Sequence, residues 1–270
     1  PYTGEVNGWI EGNAFFQTMR KLHRWLLNPP PQKGASSVGK MIVGISTLLM
    51  VVILISGLVI WWPRTHKALN NRLKVSFRKG WRRFWYDSHV TLGFYSTLFL
   101  LVMALTGLTW SFGWYRSFAY GLFGGNTSKQ AQTHGTSLPQ KENDARTKKG
   151  GKKQTDYTAW DRAAQEVQTK YTGYTSLRIE EKKIQVIQRQ QLRRTDTLKF
   201  NPKNGEITET TTYAEVPRAQ KLKGWFYAFH TGDWGGIYTK VLYFLAAFVG
   251  GVLPLSGYYL WLKKKQRVTR

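Results

Sequence analysis

Residues 41–62 read MIVGISTLLMVVILISGLVIWW, 22 positions without a charge. At 1.5 Å per residue such a run makes a helix of about 33 Å, enough to cross the ~30 Å hydrocarbon core of a bilayer. Two further runs match it: 90–115, VTLGFYSTLFLLVMALTGLTWSFGWY, and 241–262, VLYFLAAFVGGVLPLSGYYLWL, with 26 and 22 uncharged residues. Buried helices of a soluble protein seldom need three such stretches, so the chain reads as an integral membrane protein. Its mean hydropathy of −0.39 averages these runs with polar sequence and hides them.

Charge supplies an orientation. A net charge of +25 suits nucleic acid, but its distribution argues against that partner. Residues 63–88 hold eight Lys or Arg against one Asp, and residues 263–270 hold five against none. Both segments flank spans closely, where basic residues mark the cytoplasmic side. The chain start and the segment 123–239 are then expected outside. The chain has no Cys, which excludes disulfides, iron–sulfur ligation and c-type haem attachment.

The sequence echoes itself. PYTGEV at the chain start returns as PKNGEI at 202–207, a proline–glycine turn leading into a strand. Each turn is followed by a histidine (His23, His230), then a span, then SGxxxW at 56–61 and 256–261. The first turn lacks a preceding strand, so residue 1 is expected to be an internal point of a longer protein. One further span and most of an outer domain would then precede it. Parallel repeats of this kind pack about an axis along the membrane normal. His23 and His230 become symmetry mates on the outer side, and His89 opens a span on the inner side.

Histidine occurs at 23, 66, 89, 134 and 230. An imidazole at a span end serves as a metal or haem ligand, a proton relay, or an interfacial group satisfied by water. Haem iron takes two axial ligands on opposite ring faces, which suits His23 and His230 on helices across an axis. His89 is the candidate ligand of a second, inner haem whose partner lies outside this chain. Zinc prefers four ligands, and no local His or carboxylate cluster is visible. His66 is a weaker candidate neighbour of His89, and His134 lies in polar sequence. Arg20, Lys21 and Arg24 around His23 are candidate contacts for haem propionates or for lipid headgroups.

Residues 126–155 are polar and read as a linker. Residues 156–170 carry Tyr157, Trp160, Ala164 and Val167 at helical spacing, with Asp156 as an N-cap. SLRIEE, KIQVIQRQ and the stretch from DTLKF to TTTY alternate as strands. One helix over an antiparallel sheet makes a small α+β domain.

LHRWLL, SGLVIWWPR, HVTLGFYSTLFLLVMALTGLTW, NPKNGEI, FHTGDWGG and SGYYLWLKKK together resemble the PepSY-associated transmembrane family. This group of bacterial inner-membrane proteins includes the siderophore-iron reductases of the FoxB and PiuB type. The resemblance implies an α-helical membrane bundle, with three spans here and a fourth expected before residue 1, plus a small α+β PepSY-like extracytoplasmic domain. It also implies two b-type haems, with His23 and His230 on the periplasmic-side iron and His89 on the cytoplasmic-side one. The missing span is the departure from the family pattern.

The expected organisation runs from the end of a first PepSY-like module (1–12) through an amphipathic helix and connection (13–37) to a span (38–62). A basic cytoplasmic loop (63–88), a second span (89–115) and a periplasmic linker (116–155) follow. A PepSY-like domain (156–224), a His-bearing segment (225–240), a third span (241–262) and a cytoplasmic tail (263–270) complete it. The expected activity is ferric-chelate reduction, an oxidoreductase reaction with no catalytic residues beyond the haem ligands. Expected partners are a ferric siderophore or other ferric chelate, membrane lipid, and an external donor such as quinol, since no GxGxxG motif is present. Two rival readings are a non-enzymatic regulator of a periplasmic peptidase and a siderophore permease component. Neither needs histidines at span ends.

Overall fold

The uncharged runs at 41–62 and 241–262 each form one helix to within a residue. The run at 90–115, expected as a single span, is interrupted at extended Phe112, and its last residues open a second helix. The computed structural model describes residues 13–32, 35–125, 157–189 and 194–268. Its helices are α1 (Ala14–Trp25), α2 (Val38–Trp61), α3 (His66–Arg72), α4 (Trp81–Ser111), α5 (Gly113–Leu122), α6 (Thr158–Lys170), α7 (Arg218–Thr231) and α8 (Gly236–Val268). The strands are β1 (Ser176–Glu180), β2 (Lys183–Arg189), β3 (Arg194–Phe200) and β4 (Ile207–Thr211). Three segments are long and apolar enough to cross a membrane: Val38–Trp61, Trp81–Ser111 and Asp233–Lys263. The chain divides into two compact units, residues 1–116 with 246–270, and residues 117–245.

In the first unit α4 is the central helix, with α2 and the second half of α8 packed antiparallel to it. Against α2, the Trp61 ring stacks on Phe94 at 3.7 Å, and at the other end a Cβ on Gly44 would meet Phe112 at 2.8 Å. Against α8, a Cβ on Gly250 would meet Leu100 at 2.8 Å, so glycine sets that close approach. The buried face of α4 includes Ser88, Thr91, Ser96, Thr106 and Thr109. Ser96, Thr106 and Thr109 return their hydroxyls to carbonyls of their own helix, which lets small polar groups sit between helices. Val52, Ile53, Val59 and Ile60 of α2 are exposed, as a face turned to lipid requires.

The basic loop is shorter than the hydropathy suggests, because α4 begins at Trp81 rather than at residue 89. Charge ends a hydropathy window without ending a helix, so Arg82 and Arg83 sit in the first turn. A clasp closes what remains of the loop. Arg72 Nη1 donates to the Ile60 carbonyl at 3.2 Å and to that of Trp61, satisfying orphan acceptors at the end of α2. Thr91 Oγ1 donates to the Arg72 carbonyl at 3.0 Å. The buried Asp87 carboxylate accepts the Ser76 N–H at 3.2 Å and the Arg83 Nε–H at 3.0 Å.

In the second unit the strands form an antiparallel meander in the order β1-β2-β3-β4. Alternation puts Ile184 and Val186 of β2 and Leu198 and Phe200 of β3 on one face, under Ala163 and Val167 of α6. Burying each large aliphatic side chain contributes roughly 1.5–3 kcal/mol. Of the expected helix face, Val167 is buried and Trp160 packs against the core, but Ala159 and Ala163 are buried beside them and Tyr157 is 56% exposed. Tyr157 occupies the N-cap without a side-chain bond, and Asp156 lies outside the described residues. Gly205 in the β3–β4 turn has φ +78, and a Cβ there would run into the Ala159 carbonyl, so the turn is required to be glycine twice over. The first copy of this turn, and the expected linker from residue 126 onward with His134, lie outside the described residues.

Candidate functional site

The histidines on the spans and their flanks have different settings. His89 stands two turns inside α4, half-buried, and its Nδ1 lies 2.8 Å from Ser256 Oγ on α8. The Ser256 hydroxyl donates to the Leu253 carbonyl at 2.9 Å. A hydroxyl held by that carbonyl is an acceptor for an Nδ1–H, the tautomer that leaves Nε2 with a lone pair. A hydrogen bond at one ring nitrogen that presents the other is the usual second support of a metal-bound histidine. Gly257 completes the seat: its Cβ, if present, would stand 3.4 Å from His89 Cε1. The crevice beside the ring is about 80 Å³ and is lined by Trp85, Ser88, Leu92, Phe248, Val249, Val252 and Leu253 as well. That volume is below the roughly 300–1,000 Å³ of small-molecule sites.

His23 and His230 lie in different units. His23 is exposed in the last turn of α1, a helix capped by Asn13 Oδ1, which accepts from Phe15 N–H at 2.9 Å. Phe15, Phe16, Met19 and Leu22 are exposed on α1 beside Arg20, Lys21 and Arg24, the composition of a helix lying at a membrane surface. The Arg24 guanidinium sits 4.3 Å above the Trp25 ring. The helix ends in two left-handed leucines, Leu26 at φ 50 and Leu27 at φ 64, a conformation that costs about 1–2 kcal/mol per non-glycine residue.

His230 occupies the matching place in α7, its last turn, before the left-handed cap Gly232. The corner that follows is tightly made. Thr239 Oγ1 donates to the Gly232 carbonyl at 2.5 Å and accepts the Gly235 N–H at 3.0 Å, and Lys240 pairs with Asp233 at 2.8 Å. A Cβ on Gly232 would press within 2.7 Å of the Tyr243 ring. Helix, histidine, left-handed cap and span therefore recur in the two places where the sequence echoes itself. His66 is exposed at the start of α3, and the ring partner of His89 is Ser256 instead. Among the described residues no three His, Asp or Glu side chains converge as a metal cluster.

These arrangements agree with what the chain is related to. Residues 1–264 match the family described as PepSY-associated TM region. The chain belongs to that family. No match was found among curated proteins. As a PepSY-associated transmembrane protein it combines spanning helices with a small antiparallel α+β unit, and its His89–Ser256 pair lies between two of the spans. The pair escaped the sequence reading, which took Ser256 only as part of an echo. The recurrence of Ser–Gly at 56–57 and 256–257 was the available signal.

Proposed function

We propose that this protein passes electrons through b-type haem to ferric iron held in a siderophore or another ferric chelate on the periplasmic side of a bacterial inner membrane. The observation that carries the reading is the seating of His89, whose Nδ1 is engaged by Ser256 so that Nε2 faces outward from the bond as a ligand nitrogen. Haem bound through such an imidazole supplies a one-electron couple within the bilayer. His89 would hold the cytoplasmic-side group, and His23 with His230 the periplasmic-side one, near Arg20 and Arg24. Ser256 and Gly257 orient the His89 ring; Leu92, Phe248 and Val252 keep water from it. The basic loop and tail support a cytoplasmic C-terminus, and quinol in the membrane is the proposed donor. The chelate is substrate, and its iron leaves as Fe(II) because such chelates hold that state less tightly.

An optical spectrum of the full-length gene product, expressed with ample haem, tests this. A split α-band on dithionite reduction is expected, with one component lost in His89→Ala and the other in His23→Ala or His230→Ala. Oxidation of that band by a ferric chelate completes the case. A folded but colourless protein would overturn the proposal and leave the peptidase-regulator reading ahead.

A further inference from the structure

The second unit holds a cavity of about 360 Å³ lined by Tyr213, Arg218, Lys221, Leu222 and Trp225. That size falls within the range of small-molecule sites. Two lining side chains are cations and none is an acid. The carboxylates nearby are already engaged: Asp196 accepts from Gln188 Nε2 and from the Tyr213 N–H, each at 2.6 Å, and Glu215 accepts the Thr212 N–H at 2.8 Å. No ion pair among the described residues includes Arg218 or Lys221. A third cation, Arg194, lies 6.0 Å from the Tyr213 ring.

The lining is built rather than incidental. Trp225 Nε1 donates to Tyr213 Oη at 3.0 Å, which uses the phenol oxygen as acceptor and leaves its own hydrogen to give. Lys221 Nζ donates to the Ala214 carbonyl at 2.8 Å and sits 5.2 Å from the Tyr213 ring centre, with further N–H donors in hand. The Arg218 guanidinium rests against Gly124, where a Cβ would come within 3.3 Å, and a Cβ on Gly125 would strike Leu222 at 2.6 Å. Two successive glycines thus let the backbone close on the cavity wall, and Gly124 adopts φ +70 to do so.

We infer that this cavity binds the anionic, flat aromatic arm of a small ligand, an aryl carboxylate or catecholate. The oxygens would meet Arg218, Lys221 and the Tyr213 hydroxyl, and the ring would lie on Trp225 and Leu222. The inference deepens the proposed function and rests on it for the ligand's source: the arm is one limb of the ferric chelate. Cation and aromatic together discriminate, since an uncharged hydroxamate chelate offers neither partner.

The test uses full-length protein in phosphatidylcholine nanodiscs and a gallium(III) tris-catecholate, which binds like its ferric counterpart and accepts no electron. Saturable tryptophan quenching is expected, weakened about tenfold by Arg218→Gln and by Lys221→Gln, and largely kept by Arg218→Lys. Near-ultraviolet circular dichroism checks that each variant folds. Equal binding by wild type and both glutamine variants, or equal binding of an uncharged gallium hydroxamate, would overturn the site. Because gallium takes no electron, the two proposals separate. Charge-dependent binding by a colourless protein keeps the cavity and overturns the electron-transfer reading. Haem-bearing protein whose binding ignores both glutamine substitutions overturns the cavity alone.

Discussion

Ser56 and Ser256 make the same hydrogen bond, each donating its hydroxyl to the carbonyl three residues earlier, Ile53 or Leu253, at 2.9 Å. Only Ser256 also receives an imidazole, from His89 at 2.8 Å. Gly257 has His89 Cε1 at 3.4 Å from its Cβ position, whereas nothing among the described residues lies within 4 Å of the equivalent point on Gly57. The echo in sequence is therefore an echo in backbone chemistry, and a histidine distinguishes the two copies.

Ser256→Ala removes the acceptor that fixes the His89 ring while leaving every ligand nitrogen in place. Loss of such an outer-shell partner costs about 10–100-fold in affinity at metal sites. Haem transfer from the variant to excess apomyoglobin should accelerate accordingly, and Ser256→Thr should restore the wild-type rate. In haem-free protein, isotope-labelled imidazole nitrogens should report protonation at Nδ1 for wild type and a mixture for the alanine variant. Identical nitrogen spectra would show that Ser256 does not set the tautomer.

The clasp on the basic loop makes a second prediction. Asp87 is 4% exposed and accepts from both Ser76 N–H and Arg83, whose side chain is about half exposed. Asp87→Ala strands a backbone donor and should cost about 1–3 kcal/mol, the lower end reflecting solvent around Arg83. Detergent-solubilised variant should melt earlier and be cut faster by trypsin after Arg72 or Lys74. Unchanged cleavage would mean that the loop is held elsewhere.

Spans, sheet and turn were legible because each depends on local pattern. Uncharged runs placed the three membrane helices, and the proline and glycine of PKNG at 202–205 placed the β3–β4 turn. The start of α4 was not legible, since Arg82 and Arg83 end a hydropathy run but not a hydrogen-bonded backbone. On α6 Trp160 and Val167 join the core as expected, whereas Tyr157 caps the helix instead of joining the stripe and Ala163 takes the buried place expected of Ala164. The His89–Ser256 pair depends on how α4 and α8 rotate against each other across 167 residues of sequence, which no local pattern encodes. Arg218 and Lys221 look like ordinary surface charge until the fold sets them around Tyr213.

Trp61 presents a conflict that substitution can resolve. Its ring is 9% exposed and stacked on Phe94 with planes 8° apart, yet its Nε1–H is buried without a hydrogen-bond partner. A buried unsatisfied donor costs about 1–3 kcal/mol. Trp61→Phe keeps an aromatic ring on Phe94 and removes the donor, so it should be near neutral in thermal unfolding. Trp61→Ala loses the packing and should cost about 3–5 kcal/mol. A phenylalanine variant as damaged as the alanine one would show that the indole N–H has a partner in the membrane.

Tyr171 gives the α+β unit an alkaline limit. Its side chain packs against the core cluster, and its pKa is raised, first by burial and then by the negative charge of Asp196. The folded pKa thus lies above the unfolded one, about 10 for tyrosine. Once pH exceeds the unfolded value the unfolded chain releases this proton first, so it binds fewer protons than the native chain and stability falls as pH rises. The fall ends above the folded pKa, and below the unfolded pKa the stabilisation is fully present. Chemical unfolding of the full chain at rising pH should show a decline that Tyr171→Phe flattens, because phenylalanine keeps the ring and has no proton to lose. Asp196→Asn should flatten it less, since burial is the larger cause. A slope unchanged in Tyr171→Phe would assign the alkaline loss to another group.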